Sequence, residues 1–89
     1  MEKTKVINIK KGKCDIYIGR PSIFGNPYTI GRDGDRNEVV KQYKIYFYDR
    51  IEKDKDFKES ISWLKGKKIG CYCYPLPCHG DIIVKYLEG

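Results

Sequence analysis

The sequence predicts a small single-domain α/β fold, a short mixed sheet of about three strands covered by about three helices in the order β-β-loop-α-α-β-α. Three observations lead there. At 89 residues the chain holds one hydrophobic core and is too short for two, so residues 1–89 form one domain. Short β-branched and aromatic runs lie towards both ends, with two segments of helical periodicity between them. No internal repeat or low-complexity segment interrupts this succession.

The elements follow in order. Val6-Ile7-Asn8-Ile9 and Cys14-Asp15-Ile16-Tyr17-Ile18 read as strands, and Lys10-Lys11-Gly12-Lys13 between them reads as the turn of a hairpin. From Gly19 to Asp35, glycine, proline and asparagine recur too densely for a regular element. Ile23, Phe24, Tyr28 and Ile30 give this long loop apolar anchors, so it is expected to be ordered and to line a site. Asp35 with Glu38 forms a capping-box signal, after which Val39, Val40, Tyr43, Tyr46, Phe47 and Ile51 recur at three- and four-residue steps. Asp56 with Glu59 repeats the cap signal for a second helix carrying Phe57, Ile61 and Leu64, which stops at Lys65-Gly66. Residues 52–55 join the two. Trp63 lies off that stripe and marks an exposed or intersubunit surface. Lys67 to Cys73 reads as a strand, and a last helix starts near Gly80-Asp81 with Ile82, Ile83, Tyr86 and Leu87 on its inner face.

Composition narrows the function. With 40% hydrophobic and 13% aromatic residues the chain is outside the disordered class. No apolar run approaches the length needed to cross a bilayer, and Met1 to Lys5 carry no signal-peptide apolar region. A cytoplasmic protein without membrane partners is expected. A net charge of +6 favours an anionic partner without separating nucleic acid from a small phosphate compound. So small a core gains from association or a metal, and a homo-oligomer, by preference a dimer, is expected.

The densest chemistry lies in Cys71-Tyr72-Cys73-Tyr74-Pro75-Leu76-Pro77-Cys78-His79-Gly80-Asp81, which holds three of the four cysteines and the only histidine. Alternation along a strand puts Cys71 and Cys73 on one face. A metal reading makes Cys71, Cys73, Cys78 and His79 the ligands of Zn or of an Fe–S cluster. The plain alternative buries Cys71 and Cys73 in a central strand. The turn Cys78-His79-Gly80 then presents a helix N-terminus to a phosphate. A cysteine in that position tends to a lowered pKa, which makes Cys78 a candidate nucleophile with His79 or Asp81 as proton partner; Asp81 equally reads as a helix cap.

The second motif, Gly19-Arg20-Pro21-Ser22-Ile23-Phe24-Gly25-Asn26-Pro27-Tyr28, offers a guanidinium, a hydroxyl, an amide and two aromatic rings. Arginine forks to phosphate, Asn or Ser meets base or ribose edges, and an aromatic ring stacks on a base. The competing reading is a structured turn in which Asn26 bonds its own backbone and Phe24 and Tyr28 enter the core. Arg32 and Arg36 stand ready to close over an anion.

Cys14 to Ser22, Phe24 to Tyr28, Ile30 to Gly34, Leu64 to Cys73 and Pro77 to Asp81 together resemble the bacterial and phage family named domain of unknown function 4326. That family has Trp where this chain has Phe24, and usually Trp where it has Tyr72. The resemblance implies that the Gly-Arg loop and the Cys-His turn belong to one site, with a role in host–virus nucleotide chemistry in the host cytoplasm where the gene is phage-borne.

The leading expectation is a domain that binds an anionic nucleotide or nucleotide-derived molecule and acts as a sink for it. Arg20, Arg32 and the Cys78-His79-Gly80 turn would hold phosphate, and Ser22, Phe24 and Asn26 would orient base or ribose. The alternatives are a Cys/His metal protein, a small enzyme acting on a nucleotide or glycosidic bond through Cys78, His79 or Asp81, and a nucleic-acid-binding module.

Overall fold

A computed structural model describes residues 3–20, 22–72, 76 and 78–89. Its elements are β1 (Lys5–Asn8), β2 (Ile16–Tyr17), α1 (Arg36–Lys53), α2 (Lys55–Ser62), β3 (Lys68–Cys71) and α3 (His79–Glu88), which is the order the sequence predicts.

The three-stranded sheet has the spatial order β1-β3-β2, and both of its pairings are parallel. The expected hairpin is therefore absent, and the sheet is parallel where a mixed one was expected. The cause lies in β3, whose Ile69, Gly70 and Cys71 are all buried. An apolar strand buried on both faces takes the centre of a parallel sheet. Its register sets Ile69 beside Val6 on one side and Ile16 on the other. Its carbonyls serve both neighbours, the Ile9 N–H bonding to Cys71 O at 3.1 Å and the Ile18 N–H to Gly70 O at 2.9 Å. The lysine turn after β1 consequently carries the chain across β3 instead of reversing it. It passes so close that a Cβ on Gly70 would sit 2.5 Å from Ile9 Cγ2 and 2.7 Å from Cys14 Cβ. Gly70→Ala is expected to cost about 1–3 kcal/mol through overpacking, measurable as a lower urea midpoint.

Asp35 caps α1 as expected: its carboxylate accepts from the Glu38 N–H at 2.9 Å while Glu38 Oε1 accepts from the Asp35 N–H at 3.0 Å. Val39, Tyr43 and Phe47 are the buried residues of the stripe. The second cap is Asp54, not Asp56, with its carboxylate accepting from the Phe57 N–H. One residue thus joins α1 to α2, tighter than the expected 52–55 segment. Gly66, at φ 79°, ends the turn after α2, and Trp63 is 69% exposed. Helix α3 starts at His79 after the N-cap Cys78, and packs against β1, β3 and α1.

The core gathers Ile18, Tyr43, Phe47, Phe57, Ile61, Leu64, Ile69 and Ile83 between sheet and helices. Buried Thr4 pins the chain start: its hydroxyl donates to Glu88 Oε2 at 2.7 Å and accepts from the Gly66 N–H at 2.7 Å. No helix among the described residues is long and apolar enough to cross a membrane.

Candidate functional site

The chain leaves β3 for α3, which lies over β1 and β3, and leaves β2 for the long loop that leads to α1. Divergence of this kind beyond the carboxyl ends of neighbouring parallel strands leaves a crevice. A cavity of about 520 Å³ occupies it. Its wall combines the end of β2, the loop residues Gly19, Arg20, Asn26 and Tyr28 to Ile30, the first turn of α1, the end of β3 and the start of α3. Part of the long loop therefore lines this cavity, and residues of both sequence motifs contribute to its wall.

Arg20 lies on the cavity wall, its Nη1 donating to Thr29 Oγ1 at 3.0 Å. Gly25 packs under it, where a Cβ would stand 3.0 Å from Arg20 Cγ and 3.1 Å from its backbone nitrogen. Arg36, the first residue of α1, lines the cavity as well. Tyr17 and Tyr72 add an edge-to-face pair with centroids 5.9 Å apart. Tyr28 lines the cavity too, its ring edge-on to Tyr46. Asn26 is on the wall, but both ends of its amide are engaged: Oδ1 accepts from the Tyr28 N–H at 2.9 Å and Nδ2 donates to the Val39 carbonyl at 3.1 Å. It shapes the loop, as the turn reading has it.

Other expected site residues fall elsewhere. Arg32 is bound to Asp33 at 2.8 Å and donates to the Pro27 carbonyl at 3.2 Å, so it braces the loop outside the cavity. The Arg32 guanidinium beside Asp33 holds that carboxyl below its ordinary range. Phe24 packs against the core, and its carbonyl accepts from the Tyr43 hydroxyl at 3.0 Å. Ser22 does not line the cavity. Gly80 is buried where α3 meets the sheet, and a Cβ there would stand 3.0 Å from Ile18 Cδ1 and Val6 Cγ2, so its bare backbone serves close packing, outside the cavity wall.

The family pattern matches residues 2–89. The chain belongs to the family Domain of unknown function (DUF4326). It is similar to the uncharacterised 12.4 kDa protein in the nrdA-td intergenic region of Enterobacteria phage T4, at 38% identity over 80 residues, which cover 89% of this chain and 72% of that protein. No solved structure matches the chain.

In this DUF4326 domain the Cys-His turn forms the inner wall of the cavity. His79 is buried, and its Nε2 lies 2.7 Å from the Ile18 carbonyl. A carbonyl only accepts, so Nε2 carries the proton and Nδ1 of the neutral ring is an acceptor. Burial pushes the His79 pKa below its ordinary 6.5, against the smaller opposing effect of the Ile18 carbonyl. The unfolded chain then binds a proton at pH values where the folded one does not, so stability rises with pH and levels off above about 6.5. Lowering the pH from about 7.5 to about 5 is expected to reduce the urea midpoint more in the wild type than in His79→Gln, as measured by circular dichroism.

Cys71 and Cys78 place their sulfurs 3.3 Å apart, both buried and both in the cavity wall. The hydrogen bond between the two thiols, with burial second, pushes the Cys78 thiol far up, opposite to the lowered pKa expected at a helix start. Cys78 is accordingly a poor thiolate nucleophile. Asp81 is away from the cavity, and its carboxylate accepts from the Cys78 N–H at 3.1 Å as the inner half of a capping box. Cys73 lies outside the described residues, and among the described residues no group of three His, Cys, Asp or Glu converges on one point. Of the proposed ligand set, a pair of thiols is brought together and His79 is turned to Ile18.

Sequence reasoning passed over Tyr17, Thr29 and Tyr72, which line the cavity, and took Arg36 only as a partner of Arg32 in closing over an anion. Arg36 follows the Asp35 cap directly and so opens α1.

Proposed function

We propose that the protein binds an anionic nucleotide or nucleotide-derived small molecule in this cavity and retains it. The observation that supports the reading best is the convergence of Arg20 and Arg36 with the Tyr17–Tyr72 pair and the His79 ring on one concavity of about 520 Å³. That volume suits a small-molecule ligand. Guanidinium groups bind phosphate in a fork, tyrosine rings offer faces or edges to a base, and Nδ1 of His79 accepts from a ribose hydroxyl or a base N–H. Retention is favoured over turnover because the Cys78 thiol is held protonated and the Asp81 carboxylate is committed to the helix cap.

Native mass spectrometry of protein purified anaerobically under reducing conditions, alone and with nucleoside mono-, di- and triphosphates, tests this. The expected result is a one-to-one complex with at least one nucleotide and none with the uncharged nucleoside. A stoichiometric metal mass and no nucleotide complex would overturn the reading in favour of the Cys/His centre. The same spectrum reports whether the domain is the proposed dimer.

A further inference from the structure

Neither thiol of the Cys71–Cys78 pair has a role in the binding just described, yet both stand in its wall. Cys71 ends β3 and Cys78 is the N-cap of α3, with exposures of 2% and 3%. The two residues are thus held on rigid elements at either end of the connection between them. A disulfide needs a sulfur separation of about 2.05 Å. The existing 3.3 Å exceeds that by a little over 1 Å, a gap that rotation about the two side-chain bonds would have to close.

We propose that Cys71 and Cys78 form a reversible disulfide in the cavity wall, so that the reduced and oxidised proteins present different sites. The effect on ligand rests on the nucleotide-binding reading; the bond itself does not. The co-reactant is a peroxide, small enough to enter the cavity. One cysteine, as thiolate, attacks a peroxide oxygen and breaks the O–O bond, giving a sulfenic acid and hydroxide, which takes up a proton to become water. The second sulfur then displaces the sulfenic oxygen, which leaves as water once protonated. Two thiols and one hydrogen peroxide become one disulfide and two waters, the sulfurs losing two electrons that the peroxide gains.

The bond changes the site because His79 follows Cys78 directly and its ring is fixed by the Ile18 carbonyl. Drawing Cys78 towards Cys71 strains or shifts that anchor. A ligand seated in the cavity also covers the route by which peroxide reaches the sulfurs, so binding and oxidation oppose each other.

The test begins with the reduced wild-type protein, treated with hydrogen peroxide, alkylated and peptide-mapped. A Cys71–Cys78 cross-link that dithiothreitol reverses is expected, together with shifted amide signals at Arg20, Thr29 and His79 in ¹⁵N spectra recorded without ligand. Pairing through Cys73, over-oxidation without a disulfide, or a Cys71–Cys78 bond that leaves those signals in place would overturn the proposal. The Cys14→Ser/Cys73→Ser variant then confines oxidation to the remaining pair. Its affinity for a nucleoside monophosphate is expected to fall at least about tenfold on oxidation and to return on reduction. If the reduced variant takes no nucleotide while cross-link and amide shifts are found, the nucleotide-binding reading fails and the disulfide stands.

Discussion

Replacing Tyr43 with alanine is expected to remove about 3–5 kcal/mol of stability, the largest effect of any single substitution considered. Tyr43 is fully buried in α1, with its ring 5.1 Å from the His79 ring and 5.8 Å from that of Phe47. Its hydroxyl donates to the Phe24 carbonyl at 3.0 Å, and burial pushes its pKa up so that it remains a donor. Truncation leaves a void between helix and sheet and an unsatisfied carbonyl in the loop that lines the cavity. A domain of this length has roughly 4–13 kcal/mol of stability in all, so the variant is partly or largely unfolded at room temperature. Tyr43→Phe separates the contributions: it keeps the ring and should cost about 1–3 kcal/mol through the lost hydrogen bond. Urea titrations followed by circular dichroism check both, and a loss below about 1 kcal/mol for Tyr43→Ala would show that the ring is not a core element.

The second large effect is on binding. Arg20→Ala with Arg36→Ala is expected to weaken nucleotide affinity by about 100-fold or more, since hydrogen bonds to charged groups contribute about 1.5–3 kcal/mol each. Arg20 lies on the loop and Arg36 at the start of α1, so each single variant should give a smaller loss and leave the fold intact. Arg32→Ala is the control. Its guanidinium is committed to Asp33 and the Pro27 carbonyl, and its removal should change affinity far less. Isothermal titration calorimetry at fixed salt reads all four proteins. If Arg32→Ala proves the most damaging, the loop rather than the cavity carries the anion. A steep salt dependence with no response to any of these substitutions would favour nucleic acid as partner.

The local structure was legible where short-range chemistry decides it. The Val39-Tyr43-Phe47 stripe and the Asp35–Glu38 box follow from spacing alone, and both are found in α1. Topology was not legible. β2 has only two residues, and its place beside β3 is fixed by hydrogen bonds to a strand some fifty residues on, which no local turn signal reports. The lysine-glycine segment has the composition of a hairpin turn, yet Ile69-Gly70-Cys71 claims the central position and the chain must cross it. Asp54 and Asp56 offer the same capping chemistry two residues apart, and only Asp54 accepts from the Phe57 N–H.

The site divides in the same way. That the Gly-Arg loop and the Cys-His turn share a cavity is what the family resemblance implies, and Arg20, Asn26, Cys78 and His79 do stand in its wall. Of the two arginines expected to close over an anion, Arg36 lines the cavity with Arg20, whereas the neighbouring Asp33 takes up Arg32. Gly80 looked like a phosphate turn because helix starts bind anions, whereas its lack of a side chain serves the approach of α3 to Ile18 and Val6. Cys78 looked activated because it caps a helix, but Cys71 at 3.3 Å reverses that effect.

A ¹⁵N-resolved NMR titration of the reduced protein with a nucleoside monophosphate tests the central claim most directly, because it locates the ligand as well as detecting it. Saturating shifts confined to Tyr17, Arg20, Thr29, Arg36, Tyr72 and His79 are the expected result. Shifts that gather instead on the exposed lysines of the β1–β2 connection, or no shifts at millimolar nucleotide, would contradict it.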